Sequence, residues 1–272
     1  MVFSKITVGS KYSESYKIYI TQNGNIISPF HDIPLYDGEF VNCICEIPRF
    51  ENAKFEISKD QEFNPIVQDK KKGKLRFVAN IYPFKGYQVN YGALPQTYED
   101  PAKMEAHIEA YGDNDPLDIL EIGMKTKSPG DVFKGKVLGC LAMIDDNEAD
   151  WKILIIDAND PLAHKINDVP DVKEFFPGLL ENLYIWFRDY KKSEGKPENE
   201  FGFEGQFLNA EFAKKIVEEG FKSHQKLLTS KNNKISLKSA KKGDTMTVKE
   251  EKKEDSDVPE IVHQYFFANT PK

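Results

Sequence analysis

Apolar and polar positions follow two rhythms along this chain, short alternations first and helical spacing later. Residues 16–30 alternate around Asn23-Gly24, a dipeptide suited to a tight hairpin turn, which predicts two antiparallel strands. Residues 31–38 read as a loop. Residues 40–47 read as a strand closed by Pro48. In 53–57, Lys54 and Glu56 fall on one face and Phe55 and Ile57 on the other, as a period of two requires. A further strand is expected from Leu75 to about Ala79, carrying Arg76. Residues 82–100, rich in Gly, Pro and tyrosine, read as a long loop, and loops of that length inside a domain are often functional. Strands follow over 131–144, punctuated by Gly130, Gly135 and Gly139, and over 151–156. Then the spacing changes. Phe175, Leu179, Leu183 and Trp186 form one stripe of a helix over 171–192, with Pro170 before its first turn. Residues 209–228 form a second helix, with Asn209 as its N-cap. Strands first and helices after predict an α+β fold, mainly β, built on a small barrel.

Charge and composition narrow the partners. Charged residues make up 30% and hydrophobic ones 40%, an ordinary soluble composition, and the formal net charge is -7. That acidity argues against nucleic acid as the main partner. No apolar run approaches a membrane span, and the N-terminal residues lack the apolar stretch of a signal peptide. Cys43, Cys45 and Cys140 show no zinc spacing and read as reduced core residues of a cytoplasmic protein. Residues 229–257 are rich in Lys, Glu and Asp and nearly free of aromatics, which predicts a linker or loose flap. Residues 258–272 turn apolar again and should dock on the body, with an oligomer contact as the rival explanation.

The chemistry concentrates in two acidic stretches. Asp113, Asp115 and Asp118 fall within six residues, separated by Asn114, Pro116 and Leu117. Like charges this close are frustrated unless something positive arrives, and a hard divalent cation with oxygen ligands is the fitting partner. A solvated acidic turn would not need the apolar Leu117 and Ile119 beside it. The second stretch runs from Asp145 through Asp150 to Lys152, between two predicted strands. Together the two could hold two or more Mg²⁺, which can lower the pKa of a bound water from 15.7 toward about 7 and clamp phosphoryl oxygens. Lys54, Arg76, Tyr87, Tyr91, Lys152, Tyr190 and Lys191 supply cationic and phenolic groups, each alone readable as structural. An EF-hand starting at Asp113 fails at Leu117, Asp118 and Met124. A dehalogenase-type Asp-x-Asp lacks its preceding apolar strand, and a glycosyltransferase Asp-x-Asp stays open. The five histidines are dispersed and read as surface or satisfied core residues.

The run 113–119, Asp-Asn-Asp-Pro-Leu-Asp-Ile, resembles the signature of family I soluble inorganic pyrophosphatases. Further motifs are similar to the eukaryotic branch in the same order: Glu46-Ile47-Pro48-Arg49, Ala53 to Glu56, Gly73 to Phe77, Asn90 to Thr97, Asp145 to Lys152, Trp186 to Lys191, and Gly195 to Asn199. The resemblance covers residues 3–228, a catalytic domain at 1–228. It implies a highly twisted five-stranded OB-like β-barrel flanked by two longer helices and extended loops. It also implies hydrolysis of pyrophosphate to two orthophosphates, requiring several Mg²⁺ ions, with Mn²⁺ or another divalent cation as a substitute, in a homodimer. By residue, Asp113, Asp118, Asp145 and Asp150 match metal ligands, and Glu56 matches a ligand of a further metal arriving with substrate. Asp115 matches the carboxylate that deprotonates a metal-bridging water. Lys54, Arg76, Tyr91, Lys152, Tyr190 and Lys191 match phosphate contacts. Tyr87, counted with Asp115, Arg76 and Lys54 among the catalytic groups, and Glu46 belong to the surrounding hydrogen-bond network. Ala79 stands where relatives commonly carry a basic residue, and Asp189 where they are often apolar. The rivals are another metal enzyme on such a barrel, acting on nucleotide or sugar phosphates, and a non-catalytic module binding a partner through its tail.

Overall fold

The structure, a computed structural model, describes residues 2–230 and 234–268. Five strands close a barrel: Glu148–Asp157, Asp118–Glu121, Asn90–Ala93, Phe40–Ile47 and Val132–Asp145, the last pairing back to the first. Asp118–Glu121 runs parallel to Glu148–Asp157 and the other ring pairings are antiparallel. The expected barrel is therefore present. The predicted hairpin forms as Lys17–Gln22 and Asn25–Ile27 in a second sheet, which also holds Phe3–Gly9, Ile66–Gln68 and Phe55–Ile57. Core side chains are apolar and fully enclosed, Ile44, Leu120, Leu141, Trp151 and Leu154 among them. Cys43, Cys45 and Cys140 are buried free thiols, as expected.

Four sequence expectations change in detail. The loop over 82–100 contains the buried barrel strand Asn90–Ala93. Its asparagine and glycine are poor strand formers, and packing overrides that preference. A Cβ on Gly92 would sit 1.9 Å from the Ile44 carbonyl oxygen, so only glycine permits this approach of two strands. The strand at 75–79 shrinks to Lys74–Leu75. Beyond it the backbone leaves the ladder, with the Arg76 carbonyl accepting from Lys54 N–H and Gln68 Nε2. The strands expected over 131–144 are one, Val132–Asp145, shifted in register between Val137 and Gly139.

The helix over 171–192 is two helices, α1 (Val169–Phe175) and α2 (Leu179–Asp189). Pro177 disfavours helical backbone at Phe176, whose ψ is 65°, and Gly178 turns with φ 82°. Pro170 lies inside the first turn of α1 rather than before it, and Phe175 is exposed instead of continuing the stripe. The last helix, α3 (Ala210–Leu227), starts where predicted, its Asn209 side chain accepting from Phe212 N–H. Asp168 joins the helices, accepting from Val169 N–H and Ala210 N–H.

The charged tail runs along the body. Glu251–Lys252 pairs parallel to Phe3–Gly9, and Tyr265–Phe266 pairs parallel to Asn80–Ile81. Asp32 accepts from Ser239 Oγ, Ala240 N–H and Lys241 N–H. Residues 231–233 and 269–272 of the two expected tail segments lie outside the described residues. No helix among the described residues is long and apolar enough to cross a membrane.

Candidate active site

Alternation and register assemble the site. Asp118 pairs with Lys152 across the parallel ladder, so both side chains stand on one face, and Asp150 joins them two residues away. Lys152 Nζ donates at 2.5 Å to Asp118 Oδ2 and to Asp150 Oδ1, and at 2.8 Å to the Tyr91 hydroxyl. Tyr91 in turn donates to Asp118. Asp145 ends the long strand at a two-residue turn, Asp146-Asn147, both with positive φ, the geometry a right-twisted hairpin needs. Lys191 and Tyr190, just past α2, reach back to Asp145. Lys54 Nζ lies 2.6 Å from Glu56 and 3.6 Å from Asp69, which also takes Arg76 at 3.2 Å.

The acidic loop is held by its neighbours. Asp113 Oδ1 accepts from Asp115 N–H at 2.9 Å, which turns the chain with Asn114 at φ 69°. Asn114 N–H donates to the Glu99 carbonyl, and Glu99 N–H donates to the Asp115 carbonyl. Leu117 is buried under α3, where Gly220 leaves room for it. The apolar residues flanking the acids thus anchor the loop.

Every residue expected at the site lines one cavity of about 230 Å³: Glu46, Lys54, Glu56, Arg76, Tyr87, Tyr91, Asp113, Asp115, Asp118, Asp145, Asp150, Lys152, Tyr190 and Lys191. Asp146 and Glu148 line it as well, giving nine carboxyl residues against four lysines and arginines. Within the cavity the five acids expected at metals do not all meet. Asp113 and Asp150 come together with Glu99, their oxygens within 4.8 Å of one another. Asp118 joins Asp150 through the shared Lys152 ammonium, while Asp145 and Glu56 stand against Lys191 and Lys54.

Glu99 was missing from the sequence reading. It sits in the stretch read as a loop, and nothing local distinguishes it from a surface glutamate. In the fold it is buried, its Oε1 accepts from Trp151 N–H at 3.0 Å, and its Oε2 is buried without a hydrogen-bond partner. A buried carboxylate oxygen left unpaired is costly. Burial, reinforced by Asp113, holds the Glu99 carboxyl well above the usual range, and burial with Asp115 and Asp150 does the same for Asp113. Burial pushes Asp150 up to about 6 and Tyr87 up to about 12. Glu46 is likewise raised by burial, next by the Asp118 charge, and its Oε1 accepts from Ile57 N–H. These strained acids and the orphaned oxygen fit a hard divalent cation, which supplies the missing positive charge and takes oxygen ligands.

The two departures at Ala79 and Asp189 do not disturb the cavity. Ala79 is buried, and Asp189, 3% exposed, is neutralised by Arg188 at 2.7 Å and Lys192 at 2.9 Å.

Comparison with known proteins points the same way. The model of the inorganic pyrophosphatase family matches residues 43–225. An inorganic pyrophosphatase of Encephalitozoon cuniculi is 47% identical, covering 97% of this chain and 98% of its own. One of Drosophila melanogaster is 52% identical over 84% of this chain and 68% of its own. Among solved structures, inorganic pyrophosphatase from Schistosoma japonicum superposes with a TM-score of 0.90 at 41% identity, covering 97% of this chain and 100% of that one. An N-terminally truncated vacuolar soluble pyrophosphatase of Trypanosoma cruzi, solved in complex with PPi, gives a TM-score of 0.79 at 39% identity, covering 84% of this chain and 92% of that one.

Proposed function

The chain belongs to the inorganic pyrophosphatase family, eukaryotic branch, and from that premise we propose that it hydrolyses pyrophosphate to two orthophosphates in a reaction that requires divalent cations. The observation that carries the reading is the convergence of both acidic stretches and the cationic and phenolic groups on one cavity. Nine carboxyl residues against four cations would repel a polyanionic substrate, so this cavity accepts pyrophosphate only when further positive charge fills it.

Asp113 and Asp150, with Glu99, would hold one cation, and Asp118, Asp145 and Glu56 would complete the set, with Mg²⁺ the ion of first choice and Mn²⁺ a substitute. Such ions supply charge that makes water a nucleophile near neutral pH and neutralises phosphate oxygens. Asp115 accepts the proton of the attacking water. Lys152, Lys191 and Lys54 exchange their carboxylate partners for phosphate oxygens, and Arg76, Tyr91 and Tyr190 hold the same oxygens. The attacking oxygen bonds to one phosphorus, the bridging P–O bond breaks, and Lys and Arg stabilise the charge left on the departing phosphate. Tyr87 and Glu46 keep these groups in orientation.

The same reading carries residues 1–228 as the catalytic unit with 229–257 and 258–272 as appendages, a cytoplasmic location and a homodimer. Light scattering on the purified chain tests the last. Phosphate release from pyrophosphate, followed colorimetrically, tests the activity: EDTA abolishes it and excess Mg²⁺ restores it. Release that persists in EDTA would defeat the metal requirement. Turnover of nucleotide or sugar phosphates but not pyrophosphate would favour the rival phosphoesterase.

A further inference from the structure

Among the described residues, one side chain outside the assigned set pairs with the carboxylate at the centre of the proposed chemistry. Lys59 Nζ lies 2.7 Å from Asp115 Oδ1. The Asp115 backbone is tethered on both sides, through Asp113 Oδ1 and Glu99 N–H, and its carboxylate pairs with Lys59. Both side chains are partly exposed, 29% for Lys59 and 40% for Asp115, so the pair adds little stability. Its value lies in direction. With one carboxylate oxygen tied to the ammonium, the other is turned to a fixed side.

The tail adds to the turn's own hydrogen bonds in holding Lys59. Lys59 lies in the turn 58–64 that follows Phe55–Ile57, and its carbonyl accepts from Ser236 N–H at 2.6 Å. Asn64 Nδ2 spans the turn and the tail, donating to the Ser58 carbonyl at 3.0 Å and to the Ser236 carbonyl at 3.2 Å. Ile235 is buried beside Ser236, and Asp32 clamps residues 239–241 through three hydrogen bonds. A segment whose composition reads as loose is thus pinned at its apolar and small residues, against the turn that carries Lys59.

We propose that residues 234–241 are a strap that fixes the turn 58–64, and that Lys59 is a positioning residue which aims the Asp115 carboxylate at the attacking water. The inference rests on the reading of Asp115 as proton acceptor. A misaimed acceptor lowers the chemical step without weakening substrate binding, and misplacements near an ångström cost up to about 10²-fold.

The test is kcat and KM for pyrophosphate at saturating Mg²⁺ in the full chain, with Asp115→Asn as reference. Lys59→Gln lowers kcat by about 5- to 20-fold and leaves KM within about twofold, and Lys59→Arg recovers most of the loss. Asp32→Ala, remote from the cavity, lowers kcat in the same sense. Combined with Lys59→Gln it costs no more than about twofold further, because both act through one contact. If Asp32→Ala unfolds, Asp32→Asn takes its place. Wild-type kcat in Lys59→Gln, or a rise in KM alone, overturns the positioning role. Multiplying losses in the double variant overturn the strap. Full turnover in Asp115→Asn would instead bring down the functional reading itself, so the two failures are separable.

Discussion

At the scale of single residues, charge and hydrogen-bond satisfaction decide what the site can do. Each lysine of the cavity rests on a carboxylate, while Glu99, whose Oε2 is buried without a hydrogen-bond partner, is held well above the usual range by burial. Asp115 differs. It is partly exposed at the cavity and, among the described residues, paired with Lys59, and the proposed mechanism gives it the proton of the attacking water. Asp115→Asn keeps the shape and the backbone turn while removing that capacity. Turnover at saturating Mg²⁺ is expected to fall by about 10²- to 10⁴-fold with the melting temperature unchanged. A fall in activity that tracked a fall in melting temperature would point to structure instead. The signature acids were legible in the sequence because Asp, Pro and Asp at that spacing admit few solvated explanations. Glu99 was not, because its significance comes wholly from burial and from Trp151, fifty-two positions away.

At the scale of elements, periodicity identified the strands that alternate and the helices that carry a stripe, and it failed where packing overrode local preference. Asn90–Ala93 is the clearest case. It sits in the barrel ring between Phe40–Ile47 and Asp118–Glu121, and Tyr91 projects from it to Asp118 and Lys152. Gly92→Ala inserts a methyl group against the Ile44 carbonyl, a contact neither backbone can relieve without shifting a strand. A loss of about 3 kcal/mol is expected, at the upper end of overpacking costs, and calorimetry of the variant reads it directly. An unchanged melting temperature would mean that the two strands lie far enough apart to admit the methyl group. The break between α1 and α2 was legible in Pro177-Gly178, but the stripe of apolar residues on both sides masked it.

At the scale of the whole molecule, a buried histidine pair ties three distant segments together. His31 Nδ1 and His224 Nε2 are 2.9 Å apart, and His31 Nε2 faces the Ser236 carbonyl at 3.0 Å. A carbonyl only accepts, so His31 carries its proton on Nε2 and receives the His224 N–H on Nδ1. Burial lowers His31 to about 4 and His224 to about 3. Their folded-state pKa values lie below the ordinary 6.5, so the unfolded chain binds protons first. The stability is complete above about pH 6.5 and is lost as pH falls toward about 4, roughly 3 kcal/mol for His31 alone. The raised carboxyls of the cavity pull the opposite way, taking protons in the folded state first. Melts from pH 7.5 to 4.5 therefore belong in saturating Mg²⁺, where His224→Gln is expected to flatten the decline seen in the parent chain. Equal slopes in the two proteins would exclude the pair as the source. Neither histidine announced this in the sequence, since the residues are 193 positions apart. What the sequence by itself determined is local: strand and helix periods, the capped start of α3, the stiff acidic loop and the motifs that mark the family. Only the tertiary structure decided which acids share a cation-sized space, that a glycine-bearing stretch completes the barrel, and that a charged tail lies over the body. Those outcomes depend on burial and on contacts between segments far apart in the chain, and no local rhythm of residues encodes them.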